Sequence, residues 1–555
     1  MRARLSVILL SILAMLAPAA GSAAVFSVGT APGCTHPTLA GALAAAVANG
    51  PGEDFILLSA PISGVAIDTS GTDLVIAGGY TNCAGSPTPS SRTVLTGNGI
   101  APVIQTSGRN LRLRNLTLTG GGTTNLVGPG NIVVGGGVSV TNGILDIDDS
   151  TIENNRASIG GGVAVVGANA VAVLGGGTEI LFNEAGVGGG MYFAGNVLRI
   201  SYTRPGAFIG FNRAVTLRGT AGKGGGLYVD RVTGTGGSTV LVGPVSWEVG
   251  QPFPQTVGFR LVDNESSGNG AGLYVFGSSV DAAETVIAGN RAPSGVGGGV
   301  YLDAATLRMY RLDPAAFGPP TPKCPAHTCA RLRDNLSLEG GALFVSSGSR
   351  AEIAQALITE NRAATGAVVR TDDAPNLANL TLRIDSSVVA LNRCTAGFTN
   401  ACGILDLGAG RAELRFVTFA DNTFEPIPTP INLIKGPGSL VVKSSILRPA
   451  AGTALYAASN PAPTVTADCN AAPSPGFGSR PLATMPTFPA APASYRPDET
   501  SAAIDHCDGP GPAESGYLDP NLDSRGTDNP DRPNGFGVFD IGAYETQPLL
   551  RNGFE

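Results

Sequence analysis

Short apolar runs, not helical stripes, recur along the chain from about residue 110, and each leads into an asparagine. A few small or polar residues follow, then a glycine cluster, then another apolar run. The clearest copies read IENNRASIGGGVAV at Asn155, ILFNEAGVGGGMYF at Asn183 and, across an interruption, IGFNRAV and GKGGGLYV at Asn212. LVDNESSGNGAGLYV at Asn264, VIAGNRAPSGVGGGVYL at Asn290 and LRDNLSLEGGALFV at Asn335 continue the series. Weaker copies surround Asn361, Asn392 and Asn422. The asparagines are 26 to 31 residues apart except at two insertions, one holding Trp247 and the other Cys324 and Cys329. A fixed period of this length marks a stacked repeat. Within each period the runs alternate or stay apolar over three to five positions without 3.6-residue periodicity, which reads as short strands. Three fit between Asn155 and Asn183, namely VAV, VAVL and EILF. The expected fold is therefore all-β, a right-handed parallel β-helix whose triangular coils pair above and below at roughly 4.8 Å.

The punctuation has physical work to do in such a coil. Sharp turns need left-handed backbone that Gly and Asn adopt at least cost, and Asn at equivalent turns can stack as an amide ladder. Asn155, Asn183, Asn212, Asn264, Asn290, Asn335, Asn361, Asn392 and Asn422 are assigned to that ladder, and Gly189 to a turn that a β-branched residue would resist. Arginine follows five of these asparagines. Arg156, Arg213, Arg291, Arg362 and Arg393 are expected to form an exposed stripe able to bind a surface or glycan.

Composition narrows the setting. The 555 residues include 79 glycines and only 14% charged residues, with 43% hydrophobic, so the chain is neither a polar disordered one nor an ordinary charged globule. A net charge of −7 disfavours a nucleic-acid partner. Arg2 and Arg4, an apolar stretch from Leu5 to Leu16 and small residues through Ala24 read as an export signal cut before Val25. The mature chain has no apolar stretch long enough to span a bilayer as a helix. Export suits the eight cysteines, which are expected as sequential disulfides: Cys34 with Cys83, Cys324 with Cys329, Cys394 with Cys402, and Cys469 with Cys507. The competing reading is a metal site, since Cys324, His327 and Cys329 are close and His36 and His506 neighbour cysteines.

Asn followed by a glycine pair and an aliphatic residue resembles the repeat of the polymorphic outer-membrane-protein family of right-handed β-helices, over about residues 110 to 425. SAAID at 501–505, DSRG at 523–526 and DIGAYE at 540–545 are similar to a bacterial family with a variable surface-anchor (choice-of-anchor) ending. These resemblances imply a secreted or surface-exposed β-helix, extracellular or periplasmic, and no particular reaction. The expected layout is a signal peptide (1–24), an N-terminal cap with first coils (25–109), repeats (110–450), last coils with capping loops (451–548) and a tail (549–555). In the cap, Thr38 is the expected N-cap of a short helix with Leu39, Leu43 and Val47 on one face and Gly50 at its end. The final Asn552-Gly553-Phe554-Glu555 is similar to short tails of exported bacterial proteins, and reads either as a sorting signal or as a frayed end.

Candidate chemistry is sparse. Asp146 and Asp148 alternate with Leu145 and Ile147 on one strand, so both carboxylates point outward, fit for hydrolysing a glycosidic bond or holding Ca2+ for a lyase. The same pattern also describes an ordinary solvated strand. Asp519, Asp523, Asp528 and Asp531 lack EF-hand spacing and are a weak structural Ca2+ candidate, while Asp540 and Tyr544 read as closing-turn residues. No other cofactor or metal is expected. The three histidines all sit near cysteines and offer no free general base. Two functions follow: a non-enzymatic scaffold binding an extracellular glycan or protein along a lateral face, or a polysaccharide lyase or hydrolase with a cleft at the insertions near 231–258 and 311–330.

Overall fold

The computed structural model describes residues 23–546 apart from 84–90, 123–132, 202–205, 233–236, 244–257, 312–329, 373–379, 396–401, 426–431, 437, 452, 457–463, 474–476, 483, 509–517, 522 and 531. The proposed signal, Trp247, Cys324, His327, Cys329, Asp531 and the C-terminal tail lie outside the described residues, as do most of the two insertions.

The chain is a parallel β-helix. A first sheet of 15 strands runs from Val25–Val28 to Thr464–Asp468. A second, of 13, runs from Ile62–Val65 to Ile446–Leu447, and a third, also of 13, from Ile67–Asp68 to Ala454–Tyr456. The coil is not quite the expected triangle. Eight short strands, Glu184–Ala185 to Thr423–Phe424, form a fourth ladder between the second and third sheets, directly after the asparagines. Coils also begin earlier than the repeat motif, since Glu53–Leu58, Asp73–Ala77 and Asn110–Arg114 already stack in the first sheet.

Alternation sets the interior. In Ile144–Asp148, Leu145 and Ile147 are fully buried while Ile144, Asp146 and Asp148 face outward. Residues at the same inward position form one continuous core along the rod, and each fully buried aliphatic side chain is worth about 1.5–3 kcal/mol.

All nine assigned asparagines are buried and make the amide ladder. Each Nδ2 donates to the Oδ1 of the next at 2.9–3.1 Å, from Asn155–Asn183 through Asn392–Asn422. That same Oδ1 also accepts the backbone N–H of the preceding asparagine, as Asn212 does from Asn183 at 2.9 Å. The turn residue is a different one from that expected. The left-handed backbone falls on the position just before each ladder asparagine: Asn154, Phe182, Phe211, Asp263, Gly289, Asp334, Glu360, Leu391 and Asp421, with φ between 50° and 66°. The glycine cluster divides its labour similarly. Gly188 carries the positive φ of 64°, whereas a Cβ on Gly189 would run into the backbone of Arg213 and Gly225 in the next coil. Gly189 is required for close approach, not for its own φ.

Both ends are finished differently. The helix Leu39–Asn49 packs on Val25–Val28 and Glu53–Leu58, with Thr38 Oγ1 accepting from Gly41 N at 3.2 Å. Its buried face is Leu39, Ala42 and Ala46; Val47, expected inside, is 54% exposed. The disulfide Cys34–Cys83 ties this cap down. At the other end the expected capping loops do something else. After the last bridged coil at Leu482, the described residues of 485–546 turn back along the flank of the rod as a strap over the outward face of the second sheet. Leu357, Val388 and Ile446 of that face meet Phe488, Tyr495, Ala503, Ile541, Ala543 and Tyr544 of the strap in a second apolar core. Hydrogen bonds fix it at Arg311 Nη1 to Pro520 O (2.6 Å), Ala543 N to Thr418 Oγ1 (2.9 Å) and Tyr495 Oη to Asp421 Oδ2 (3.1 Å). The disulfides Cys394–Cys402 and Cys469–Cys507 are formed as expected, the latter at the strap's root.

Candidate functional site

Side chains of the third sheet alternate inward and outward, as the burial of Met191–Ala194 and Val300–Asp303 shows. The residue after each glycine cluster points in, and the next points out. Register then aligns one outward position across successive coils as Ala164, Tyr192, Tyr228, Tyr274, Tyr301 and Phe344. Strand spacing of about 4.8 Å brings flat rings to stacking distance. Their centroids lie 5.4, 4.7, 4.7 and 5.3 Å apart, with interplanar angles of 7–24°. The row then turns charged, with Arg370 Nη1 on Asp406 Oδ1 at 2.6 Å and Lys435 Nζ on Asp406 Oδ2 at 3.4 Å.

Carboxylates line the tyrosine hydroxyls. Tyr192 Oη donates to Asp230 Oδ2 at 2.7 Å and Tyr274 Oη to Asp303 Oδ2 at 3.2 Å. Burial, followed by these carboxylates, pushes the Tyr192 phenol well above its ordinary value; burial, then neighbouring phenols, does the same for Tyr274, and Tyr301 is pushed up to about 12. None of these phenols is a usable base near neutral pH. Cations lie over the rings, Lys223 Nζ 5.3 Å from the Tyr274 centroid and Arg231 4.9 Å from that of Phe276.

The ladder stops abruptly at Tyr192. The next position is Ala164, a fully buried methyl group, so among the described residues the ladder of rings ends at Tyr192. There the surface opens into a cleft of about 540 Å3 lined by Asn142, Val166, Gly167, Tyr192, Asp230 and Arg231. The site therefore offers one flat apolar face with a hydroxyl, a carboxylate, a guanidinium and an amide around it.

The residues singled out from sequence are elsewhere. Asp146 and Asp148 do face outward, but on the first sheet, where Arg114 Nη2 lies 2.6 Å from Asp146 and Arg114 Nε 4.0 Å from Asp148. They belong to a lattice of cross-strand ion pairs. The arginine stripe exists on the fourth ladder, but glutamates share its register: Arg156, Glu184, Arg213, Glu265 and Arg291 alternate coil by coil. Arg156 pairs with Glu184, and Arg213 lies 3.7 Å from Glu184 and 3.4 Å from Glu265. Arg362 lies 3.6 Å from Asp334, and Arg393 3.0 Å from Glu425. Much of the stripe's charge is thus neutralised internally. Among the described residues no group of three or more His, Cys, Asp or Glu side chains is placed to hold a metal ion, and no described cysteine is free. His36 stacks edge-on with Phe26, and burial lowers the pKa of His506. Asp519 and Asp540 are buried within the strap and accept backbone N–H groups. The tyrosine ladder was missed, although its signal stands in the repeat copies as the Tyr two places past Gly190, Gly226, Gly272 and Gly299. Comparison with protein-family models, curated proteins and solved structures finds no match to this chain.

Proposed function

We propose that this is an exported, non-enzymatic scaffold that holds an extracellular or cell-surface glycan on the outward face of the third sheet, with one sugar ring seated on Tyr192. The observation carrying this reading is the cleft at the end of the ladder, where the Tyr192 ring meets Asn142, Asp230 and Arg231, which supply donors and acceptors for hydroxyls. Stacking of this kind contributes about 0.5–1.5 kcal/mol per ring pair, so useful affinity comes from several sugars along one chain, or from several copies on one surface. Export is supported by the charged-then-apolar start of the chain and by the three disulfides. Kinship with the polymorphic outer-membrane-protein repeats and the variable-anchor family remains part of this proposal, resting on the repeated motif and on DIGAYE.

The test is binding of the disulfide-intact mature protein to a panel of extended polysaccharides. Tyr192→Ala and Asp230→Asn should each weaken binding at least about tenfold, the loss of roughly 1.4 kcal/mol, while Asp146→Asn leaves it unchanged. Equal binding by Tyr192→Ala would refute the site. Release of new sugar ends by the pure protein, abolished in Asp146→Asn or Asp148→Asn, would replace the binder with a hydrolase or lyase.

A further inference from the structure

The strap is held by an unusual set of groups. Asp505, Asp519, Asp540 and Glu545 are all 0–1% exposed, and one buried guanidinium, Arg525, sits among them. Arg525 Nη1 lies 3.6 Å from Glu545 Oε2, Nε donates to Ser386 Oγ of the rod at 3.1 Å, and Nη2 donates to Ala543 O. The carboxylates are knitted together through backbone N–H groups of the strap. Glu545 Oε1 accepts from Gly526 (2.7 Å) and Thr527 (3.1 Å), and Oε2 from Asp540 (3.3 Å). Asp540 accepts from Asp505 and Thr546, and Asp519 from Asn521, Asp523 and Glu545. Asp505 Oδ1 is buried with no donor among the described residues, while its Oδ2 accepts from Asn529 N at 3.1 Å.

Other charges face this cluster from every side. Within the strap, Arg496 lies 3.9 Å from Asp519 and 3.2 Å from Asp523, and Asp528 and Arg532 act on Asp505. From the rod, Asp385 acts on Arg525, and Asp385 is itself held by Arg383 at 2.6 Å with Arg415 and Glu413 nearby. Arg311 and Arg331 of the rod face Tyr544. Four buried carboxylates, with Arg525 among Asp519, Asp540 and Glu545 and Arg496 at the edge, cannot all be ionised in a dry site without large cost. A proton must stay in the cluster for the strap to seat.

We propose that the C-terminal strap is a proton-locked cover, seated on the second sheet in acid and loosening as the solution passes through neutral to mildly alkaline. The anchoring points are separated by coils, so losing the cluster frees the backbone of residues 518–546, while Cys469–Cys507 keeps the strap attached at its root. What it uncovers is the apolar row Leu357, Val388 and Ile446.

The direction follows from which state binds the proton more tightly. Burial, then the Asp540 charge, pushes Glu545 from its ordinary 4.5 up to about 8, and burial pushes Asp505 up to about 6. Asp519 and Asp540 move the same way, also through burial. Groups raised on closing stabilise the closed strap fully below their free values, and that stability is lost as pH climbs through the closed-state values. For Glu545 the window runs from about 4.5 to about 8.

Hydrogen exchange of the oxidised full chain, corrected for the intrinsic rate, measures this at about pH 5, 7 and 8.5. Peptides within 518–546 should open at least about tenfold more readily at the top of that range than at the bottom, the change carried by one pKa unit. Peptides spanning Asn264 to Asn361 should not change. Glu545→Gln, which keeps a neutral side chain of the same shape, should flatten the strap's dependence above about pH 6. An opening constant that is level across the range in the native chain overturns the proposal without any variant. So does a Glu545→Gln chain that folds and keeps the full pH dependence.

Discussion

Along the rod, nine buried asparagine amides form one repeated ladder; within the strap, four carboxylates and a guanidinium are buried together. Each amide meets a copy of itself one coil away, so every donor finds an acceptor and no charge is desolvated. The strap's groups meet unlike, non-repeating partners and bury carboxylate charge that Arg525, Arg496, backbone N–H groups and shared protons offset. The two regions teach how burial of polar atoms can give either uniform stability or conditional stability. A repeated neutral ladder is indifferent to pH and grows with length, whereas a single charged cluster ties its region to solution conditions.

The sharpest way to break the first half of that comparison is Asn290→Ala. It removes the acceptor for both Asn264 N (3.0 Å) and Asn264 Nδ2 (3.1 Å), and the donor to Asn335 Oδ1 (3.0 Å). Two buried donors left unpaired cost about 1–3 kcal/mol each, so denaturant unfolding should show a loss of about 4 kcal/mol. A loss below about 1 kcal/mol would mean that water replaces the ladder. Gly189→Val should come next, at about 3 kcal/mol, because a side chain there meets the backbone of Arg213 and Gly225 in the adjacent coil. Gly189→Ala should already show much of that loss if close approach is the cause, whereas a pure β-branching effect would spare alanine.

Arg525→Met tests the other half. It leaves the carboxylates without their internal cation and Ser386 Oγ and Ala543 O without a donor. Removing one partner of a buried ion pair costs about 3–5 kcal/mol, but here the loss should stay local. The strap should become sensitive to limited proteolysis while the rod's main unfolding transition moves by less than about 1 kcal/mol. A rod that melts together with its strap would show the two regions to be one cooperative unit.

Repetition also governed what could be read from the chain before its fold was known. Asn155 through Asn422 announced themselves nine times, at 26 to 31 residues apart outside two insertions, and the coil and the ladder followed, whereas Gly189 was read as a turn and is a close approach. The tyrosines were equally periodic, yet a ring two places past glycine acquires meaning only once register sets Tyr192 beside Tyr228. Glu184 and Glu265 escaped notice because they occupy, in their own coils, the position where other coils carry arginine. The strap could not be inferred at all. Arg311 and Pro520 are 209 residues apart and meet once, so no periodicity points from one to the other.

The smallest effect expected is that of Asp146→Asn. Its carboxylate is 22% exposed and faces Arg114, 28% exposed, across neighbouring strands. Arg112 also approaches it at 3.8 Å while pairing with Glu53 at 3.1 Å. A half-exposed pair of this kind contributes about 0–1 kcal/mol, and the amide can still accept from Arg114. Unfolding should therefore shift by less than about 1 kcal/mol, and the shift should shrink further in molar salt as the pair is screened. The same holds, by register, for Glu184→Gln between Arg156 and Arg213, where losing one carboxylate leaves two neighbouring cations facing each other. If Asp146→Asn costs several kcal/mol, the first sheet is knit by its outward charges more than by Leu145 and Ile147, and the contrast between a rod held by neutral repeats and a strap held by charge dissolves.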